Sequence, residues 1–303
     1  MGKVLIIVGP TGVGKTSLSV ELAKQFHGEV ISGDSMQVYK EMSIGTAKIT
    51  PEEMQDIPHY LIDFCSFTDE YNVKIFQEEA RKEIKNITDR KNLPIICGGT
   101  GLYIKSCIYD YQFLDQEEDS DFISFLMKRS PDELWGLLNI VDPKACENLH
   151  PHNRQRLIRA LSMAHSGNKK SEIVDKQEHK PIYDAYIIGL TMDRERLYER
   201  INLRVDQMME HGLLQEIEGL VKDQPNVWDL QSFKGIGYKE WRPYFEENAD
   251  VETCVESIKK NSRNFAKRQY TWFNNQMQVQ WYDIEEENYK QKIIEDVKAW
   301  MEK

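Results

Sequence analysis

The residues best equipped for chemistry stand near the start of the chain, in Gly9-Pro10-Thr11-Gly12-Val13-Gly14-Lys15-Thr16. The string satisfies G-x-x-x-x-G-K-[ST], and the chemistry it offers is the holding of phosphate. Backbone N–H groups of the turn and of the helix that follows converge on anionic oxygens. Lys15 adds a positive charge, and the Thr16 hydroxyl suits Mg²⁺.

A phosphate loop does not name its ligand. Most hold a nucleoside triphosphate, so nucleotide binding of the ATP kind, in a kinase or NTPase, is the first expectation. That chemistry also needs an apolar strand ending in Asp to complete a metal site. The nearest match, Tyr60-Leu61-Ile62-Asp63, is short, and the clearer run Pro94–Cys97 ends in Gly-Gly-Thr. Two other turns carry polar groups. Asp34, between Gly33 and Ser35, suits metal ligation, proton abstraction or the capping of a helix. Thr100, in Gly98-Gly99-Thr100-Gly101, can present a hydroxyl and N–H groups to a developing anion, or simply serve a tight turn.

The elements that must position these groups follow from hydrophobic spacing. Lys3–Val8 reads as a strand, and Leu18, Leu22 and Phe26 give Thr16–Phe26 a helical face. Further strands are predicted at 29–32, 94–97, 185–190 and 279–282, and helices at 73–88, 194–218 and 251–273. Alternating strands and helices imply a parallel sheet, which binds ligands outside the carboxyl ends of its strands. If the first strands are neighbours, Lys15, Asp34 and Thr100 share one cleft. Past the acidic stretch 115–121 the signals turn helical as far as Ser166, followed by a polar loop at 167–180. The expected fold is therefore α/β, a P-loop NTPase-like parallel sheet flanked by helices. Its core is expected at 1–114 and 183–303, with a helical insertion domain at 115–182.

A chain of 303 residues has ample material for a core, and 40% hydrophobic with 29% charged residues excludes a disordered or membrane-embedded class. Val4–Val8 is too short for a signal-peptide core, so a cytoplasmic protein is expected. The five cysteines form an odd set without a C-x-x-C pair, which reads as reduced thiols rather than disulfides or zinc ligands. The net charge of −11 opposes a nucleic-acid partner, so local patches must overrule it. Two basic groups are available: Arg154, Arg156 and Arg159, and Lys259, Lys260, Arg263, Lys267 and Arg268. Each reads by itself as a solvated face.

Taken in order, six strings resemble the tRNA dimethylallyltransferase (IPP transferase) family over nearly the whole chain. They are the loop Gly9–Thr16, Asp34-Ser35-Met36-Gln37-Val38-Tyr39, Gly45-Thr46-Ala47-Lys48, Pro58-His59-Tyr60-Leu61-Ile62-Asp63, Gly98–Tyr103 and Lys267-Arg268-Gln269-Tyr270-Thr271-Trp272. The resemblance implies transfer of a dimethylallyl group from dimethylallyl diphosphate to the exocyclic amine of the adenosine 3′ of a tRNA anticodon. It implies that the loop holds a diphosphate through Gly9, Thr11, Gly12, Val13, Gly14, Lys15, Thr16 and Ser17, with Thr16 as the Mg²⁺ ligand. Asp34 is then the base, Thr100 a contact to the leaving oxygen, and Arg204 a further diphosphate ligand, although spacing alone puts Arg204 on a wet helix face. The implied tRNA contacts are Ser35, Gln37, Gln155, Arg156, Arg159, Arg263, Lys267 and Arg268, with the insert clasping the anticodon stem-loop, and a monomer is the expected working form. The chain departs from the family pattern at Ile49, usually Pro, and at Asn274, often Arg.

An aromatic amine is a weak nucleophile, so the allylic carbon must gain cationic character as diphosphate leaves, and stabilising the leaving anion is the main task. The alternatives are a small-molecule kinase, a prenyltransferase acting on free adenine nucleotides, and a non-catalytic RNA-binding module.

Overall fold

The computed structural model describes residues 1–113, 119–172, 180–224 and 226–303. Six strands, β1 (Lys3–Val8), β2 (Gly28–Ser32), β3 (His59–Tyr60), β4 (Leu93–Cys97), β5 (Asp184–Thr191) and β6 (Gln280–Asp283), form one sheet in the order β3-β2-β4-β1-β5-β6. Every pairing is parallel. The registers Ile7 to Cys97 and Ser32 to Cys97 bring the carboxyl ends of β1, β4 and β2 level. The adjacency on which the shared cleft depended is therefore present.

Both sheet faces are covered, which is why β1 reads as an unbroken apolar run instead of an alternating one. Val4, Ile6 and Val8 point to one side, where α3 (Val73–Asp89) lays Phe76, Ala80, Ile84 and Ile87 against them, with Ile104 and Cys107 of α4 (Gly101–Ile108). Leu5 and Ile7 point to the other side. There they meet Leu18 and Leu22 of α1 (Lys15–Phe26), Leu197 and Ile201 of α9 (Arg194–Glu210), and Ile293 and Val297 of α13 (Tyr289–Met301). The short α2 (Pro51–Met54) precedes β3, and α11 (Arg242–Glu247) and α12 (Val251–Gln276) precede β6.

One expected helix is in fact two. The 194–218 reading breaks after Glu210: Gly212, at φ +93°, caps the start of α10 (Leu213–Asp223). Only glycine takes that left-handed conformation cheaply, so the helix stops although Leu213 and Ile217 continue the apolar spacing.

The chain divides into two compact units, Met1–Tyr109 with Pro181–Lys303, and Asp110–Lys180. The smaller unit is built of α5 (Ser120–Met127), α6 (Pro131–Val141), α7 (Pro143–Cys146) and α8 (Arg154–His165) around Leu126, Leu134, Leu138, Leu157 and Leu161. Ser130 and Glu133 close a capping box on α6. Asp142 is buried where α6 gives way to α7 and accepts from the Ser171 hydroxyl at 2.6 Å. The expected boundary at 114/115, the acidic residues 115–118 and most of the 167–180 loop (173–179) lie outside the described residues. All five cysteines are free thiols. Among the described residues no helix is long and apolar enough to cross a membrane.

Candidate active site

The loop between β1 and α1 turns so tightly that it depends on glycine. Gly9 has φ +145°, and a Cβ there would lie 2.8 Å from the Leu190 carbonyl of β5; Gly14, at φ +103°, starts α1. Val13 buries its side chain beneath the loop, between β1 and α1, so only its backbone faces outward. Gly12, Gly14, Lys15, Thr16 and Ser17 all line one open cavity of about 620 Å³ above α1. The Lys15 ammonium folds back to donate to the carbonyls of Gly9 (3.0 Å) and Pro10 (2.8 Å). Burial pushes it down to about 8, Arg204 acts in the same direction, and Cys97 and Asp34 oppose both.

Lys15 and Thr16 also line a smaller cavity of about 90 Å³, shared with Thr11, Asp34, Gln37, Gly98, Gly99 and Arg204. Its remaining wall is partly apolar, from Val30, Ile49, Ile62 and Phe265. Asp34 follows β2, and its Oδ1 accepts from the backbone N–H of Met36 (2.8 Å) and Gln37 (3.3 Å). The capping role that sequence left open is thus real, but no helix follows, and Oδ2 has no hydrogen-bond partner among the described residues. The turn after β4 closes from the other side: Thr100 Oγ1 accepts from the Ser35 N–H at 3.2 Å and lies 3.4 Å from its hydroxyl.

Arg204 is not on a wet face. Its guanidinium, half-buried on α9, donates to Thr11 Oγ1 and to the Ala47 carbonyl, each at 3.3 Å. The turn that supplies Ala47 is itself pinned. Glu216 of α10 accepts the N–H groups of Ser43 (2.9 Å), Ile44 (2.7 Å) and Gly45 (3.1 Å) and the Tyr238 hydroxyl (2.7 Å). Lys48 donates to the Tyr39 carbonyl and pairs with Asp63, each at 2.6 Å. The Tyr60–Asp63 run is not a strand ending in Asp: β3 stops at Tyr60, Leu61 and Asp63 have positive φ (59° and 51°), and Asp63 lies beyond it beside Lys48. Ile49, in place of the usual proline, is buried and contributes to both cavities.

The expected RNA contacts divide. Gln37 lines the smaller cavity and its Nε2 donates to the Thr46 and Ala47 carbonyls, whereas Ser35 lies against Thr100 and lines neither cavity. Lys267 and Arg268 are exposed on α12, beside a shallow concavity formed with Asn264, Thr271 and Trp272. Arg263 turns inward to Asn202 at 2.5 Å, and Lys259 is spent on Asp206 at 2.8 Å and Glu256 at 3.1 Å. In the smaller unit Gln155, Arg156 and Arg159 are exposed on α8. Asn274 is exposed on α12.

Among the cavity-wall residues to which sequence reasoning gave no role are His59 and Gln269, each quoted there only within a family string. His59, at the head of β3, bonds Ile57 O through Nδ1 at 2.8 Å, while Nε2 is buried and has no partner among the described residues. Burial lowers its pKa. Gln269, 5% exposed, joins the phosphate loop to the turn after β4: Thr11 N–H donates to Oε1 at 2.9 Å, and Nε2 donates to Gly99 O at 3.0 Å. Its signal was available, since Gln269 falls between Ala266 and Phe273 on the buried stripe of α12.

Residues 37–276 match the family model described as IPP transferase. The chain belongs to the IPP transferase family. Curated family members similar to it include a tRNA dimethylallyltransferase of Bacillus cereus, 52% identical over 93% of this chain and 90% of that protein. Another, of Bacillus anthracis, is 51% identical over 93% and 91%. Among solved IPP transferase structures, the full-length tRNA isopentenylpyrophosphate transferase of Bacillus halodurans matches with a TM-score of 0.76 and 41% identity, covering 100% of this chain and 97% of that one. A eukaryotic dimethylallyltransferase described as acting on tRNA matches with a TM-score of 0.88 and 30% identity, over 100% and 80%.

Proposed function

We propose that this protein transfers a dimethylallyl group from dimethylallyl diphosphate to the exocyclic amine of an adenosine in tRNA, the one immediately 3′ of the anticodon, and releases diphosphate. The observation that carries the reading is the joining of phosphate-binding and proton-accepting groups in one cavity. Lys15, Thr16 and Arg204 meet Asp34 there beside an apolar wall. A kinase of the NTPase kind would carry an acid at the end of a core strand to complete its metal site; Asp63, the candidate for that role, lies three residues past β3 and pairs with Lys48.

The chemistry follows from these groups. The bond between the allylic carbon and the bridging oxygen breaks, and the electron pair leaves with diphosphate. The N–H groups of Gly12–Ser17 and the cations of Lys15 and Arg204 stabilise that charge, and Thr100, in the turn after β4, is assigned to the departing oxygen. The adenine nitrogen forms the new C–N bond, and its proton passes to Asp34 through the unpartnered Oδ2. Val30, Ile49, Ile62 and Phe265 offer the prenyl chain an apolar bed and exclude water from the cation-like carbon.

Thr16 Oγ1 is a hard oxygen donor of the kind that suits Mg²⁺, and it lines the cavity with Lys15 and Arg204. An ion that keeps its waters and shares diphosphate oxygens needs no all-protein cage. When bound it neutralises charge on the leaving group.

For RNA, the exposed Lys267 and Arg268, and Gln155, Arg156 and Arg159 on the helical unit, supply phosphate contacts. The target base must leave its stack to reach Asp34. The same reading has the protein work as a monomer in the cytoplasm, where tRNA is the substrate.

The test is incubation of the protein with unmodified tRNA, labelled dimethylallyl diphosphate and Mg²⁺, followed by nucleoside analysis. Label on the amine of the adenosine next to the anticodon is expected; label absent from RNA, or appearing only on added AMP or ADP, contradicts the reading.

A further inference from the structure

We propose that Gln269 is a positioning residue whose amide clamps the phosphate loop after β1 to the turn after β4, setting the leaving-group cradle against Thr100 and Asp34. The inference rests on the prenyl-transfer reading and names a residue that the reading does not require.

The two bonds leave the amide one orientation. Thr11 N–H can only donate and the Gly99 carbonyl can only accept, so the oxygen must face the loop and the nitrogen the turn. The fit is tight as well: a Cβ on Gly99 would lie 2.1 Å from Nε2. Gln269 thus removes the Thr11 N–H from the set available to an anion and fixes the first half of the loop.

The groups that act on substrate hang from that half. The Thr11 hydroxyl accepts from Arg204, and the carbonyls of Gly9 and Pro10 hold Lys15. On the other side, Gly99 precedes Thr100, whose hydroxyl holds the Ser35 N–H beside Asp34. One amide therefore sets the spacing between the groups that receive the diphosphate and those that address the nucleophile. Errors of about 1 Å in such spacing cost about 100-fold in rate.

A residue needed only for folding would show none of the following behaviour. Gln269→Glu keeps the shape and the acceptor for Thr11, but when ionised it sets a carboxylate oxygen against the Gly99 carbonyl and adds negative charge beside the anion site. Burial and the opposed carbonyl raise the pKa of the introduced carboxyl, and its protonation restores the missing donor. The ratio of variant to parent kcat is expected to rise about fivefold or more as pH falls from about 8.5 to about 6. Inorganic diphosphate, measured by calorimetry without any transfer, is expected to bind the variant progressively less well than the parent over the same range as pH rises. Gln269→Met loses both bonds and is expected to lower kcat about tenfold or more at every pH, with KM for tRNA unchanged within about threefold.

Parallel pH profiles for Gln269→Glu and the parent, in rate and in diphosphate affinity, overturn the proposal. So does a Gln269→Met kcat within about twofold of the parent. A Gln269→Glu chain that fails to fold at every pH also overturns it, because the amide is then a folding requirement. If the parent moves no label to RNA, the transfer reading fails, and the calorimetric comparison still decides whether Gln269 shapes the anion site.

Discussion

Replacing Asp34 with asparagine should abolish the proton-accepting function and leave the architecture of the cleft intact. Oδ1 holds the Met36 and Gln37 N–H groups at 2.8 and 3.3 Å, and the asparagine carbonyl oxygen can accept both. What changes is the second oxygen, which becomes an NH₂ group unable to take a proton. General-base catalysis contributes about 10²–10⁴ in rate, so kcat should fall by that factor, or about 3–5 kcal/mol in the barrier. The carboxylate also favours the charged forms of Lys15 and Arg204, and its negative charge opposes an incoming diphosphate. Its removal should leave KM for dimethylallyl diphosphate unchanged or lower it by up to about threefold. Single-turnover transfer to an anticodon stem-loop measures the chemical step, and competition by inorganic diphosphate measures ground-state binding. Transfer within about tenfold of the parent removes Asp34 as base, whereas a tenfold rise in KM at constant kcat makes it a binding group only.

Other expectations follow from the same geometry. Lys15 is held down to about 8 by burial, so the free protein loses the ammonium as pH rises through that value; 1/KM for the prenyl diphosphate should fall above about pH 8, and Lys15→Met should remove the dependence. Glu29, buried on β2, is bound by Arg90 at 2.6 Å, Asn92 at 2.6 Å and Tyr60 at 2.5 Å, and Arg90 chiefly holds its carboxyl down to about 2. A depressed acid stabilises the fold fully above its unfolded value of 4.5 and loses that contribution as pH falls toward about 2. Urea melts should show up to about 3 kcal/mol of stability lost across that window in the parent and a flatter profile in Glu29→Gln. Lys267→Ala and Arg268→Ala should each weaken tRNA binding and reduce the slope of log K against log salt by about 1, without altering diphosphate affinity; an unchanged slope removes that residue from the RNA face.

Much of the sheet was legible because it is buried on both sides. Apolar runs such as Val4–Val8 and Ile95–Ile96 have nowhere to lie but a covered parallel sheet, and glycine turns mark their carboxyl ends. Asp34 and Thr100 could be placed from the same punctuation. Arg204 could not, because periodicity reports which residues avoid the apolar core, and a guanidinium bound to loop oxygens avoids it as surely as a solvated one does. In the basic run on α12, composition counts charges without their partners: Asp206 on α9 pairs with Lys259, while Asn202 accepts from Arg263, which keeps its charge. The helix predicted through Glu218 overran its end, since apolar spacing resumes beyond Gly212 and a single left-handed residue carries no hydrophobic signal. Gln269 shows its burial through the apolar stripe of α12, but not its partners, which come from two loops far away in sequence.

The most direct measurement is a crystal structure of the protein with an unreactive dimethylallyl thiolodiphosphate, Mg²⁺ and an anticodon stem-loop. The account predicts both phosphates cradled by the Gly12–Ser17 N–H groups and Arg204, the prenyl chain against Ile49 and Phe265, and an extruded adenine whose amine lies about 3 Å from Asp34. A prenyl chain remote from Asp34, or an adenine that stays stacked in the RNA while the diphosphate occupies the loop, contradicts it.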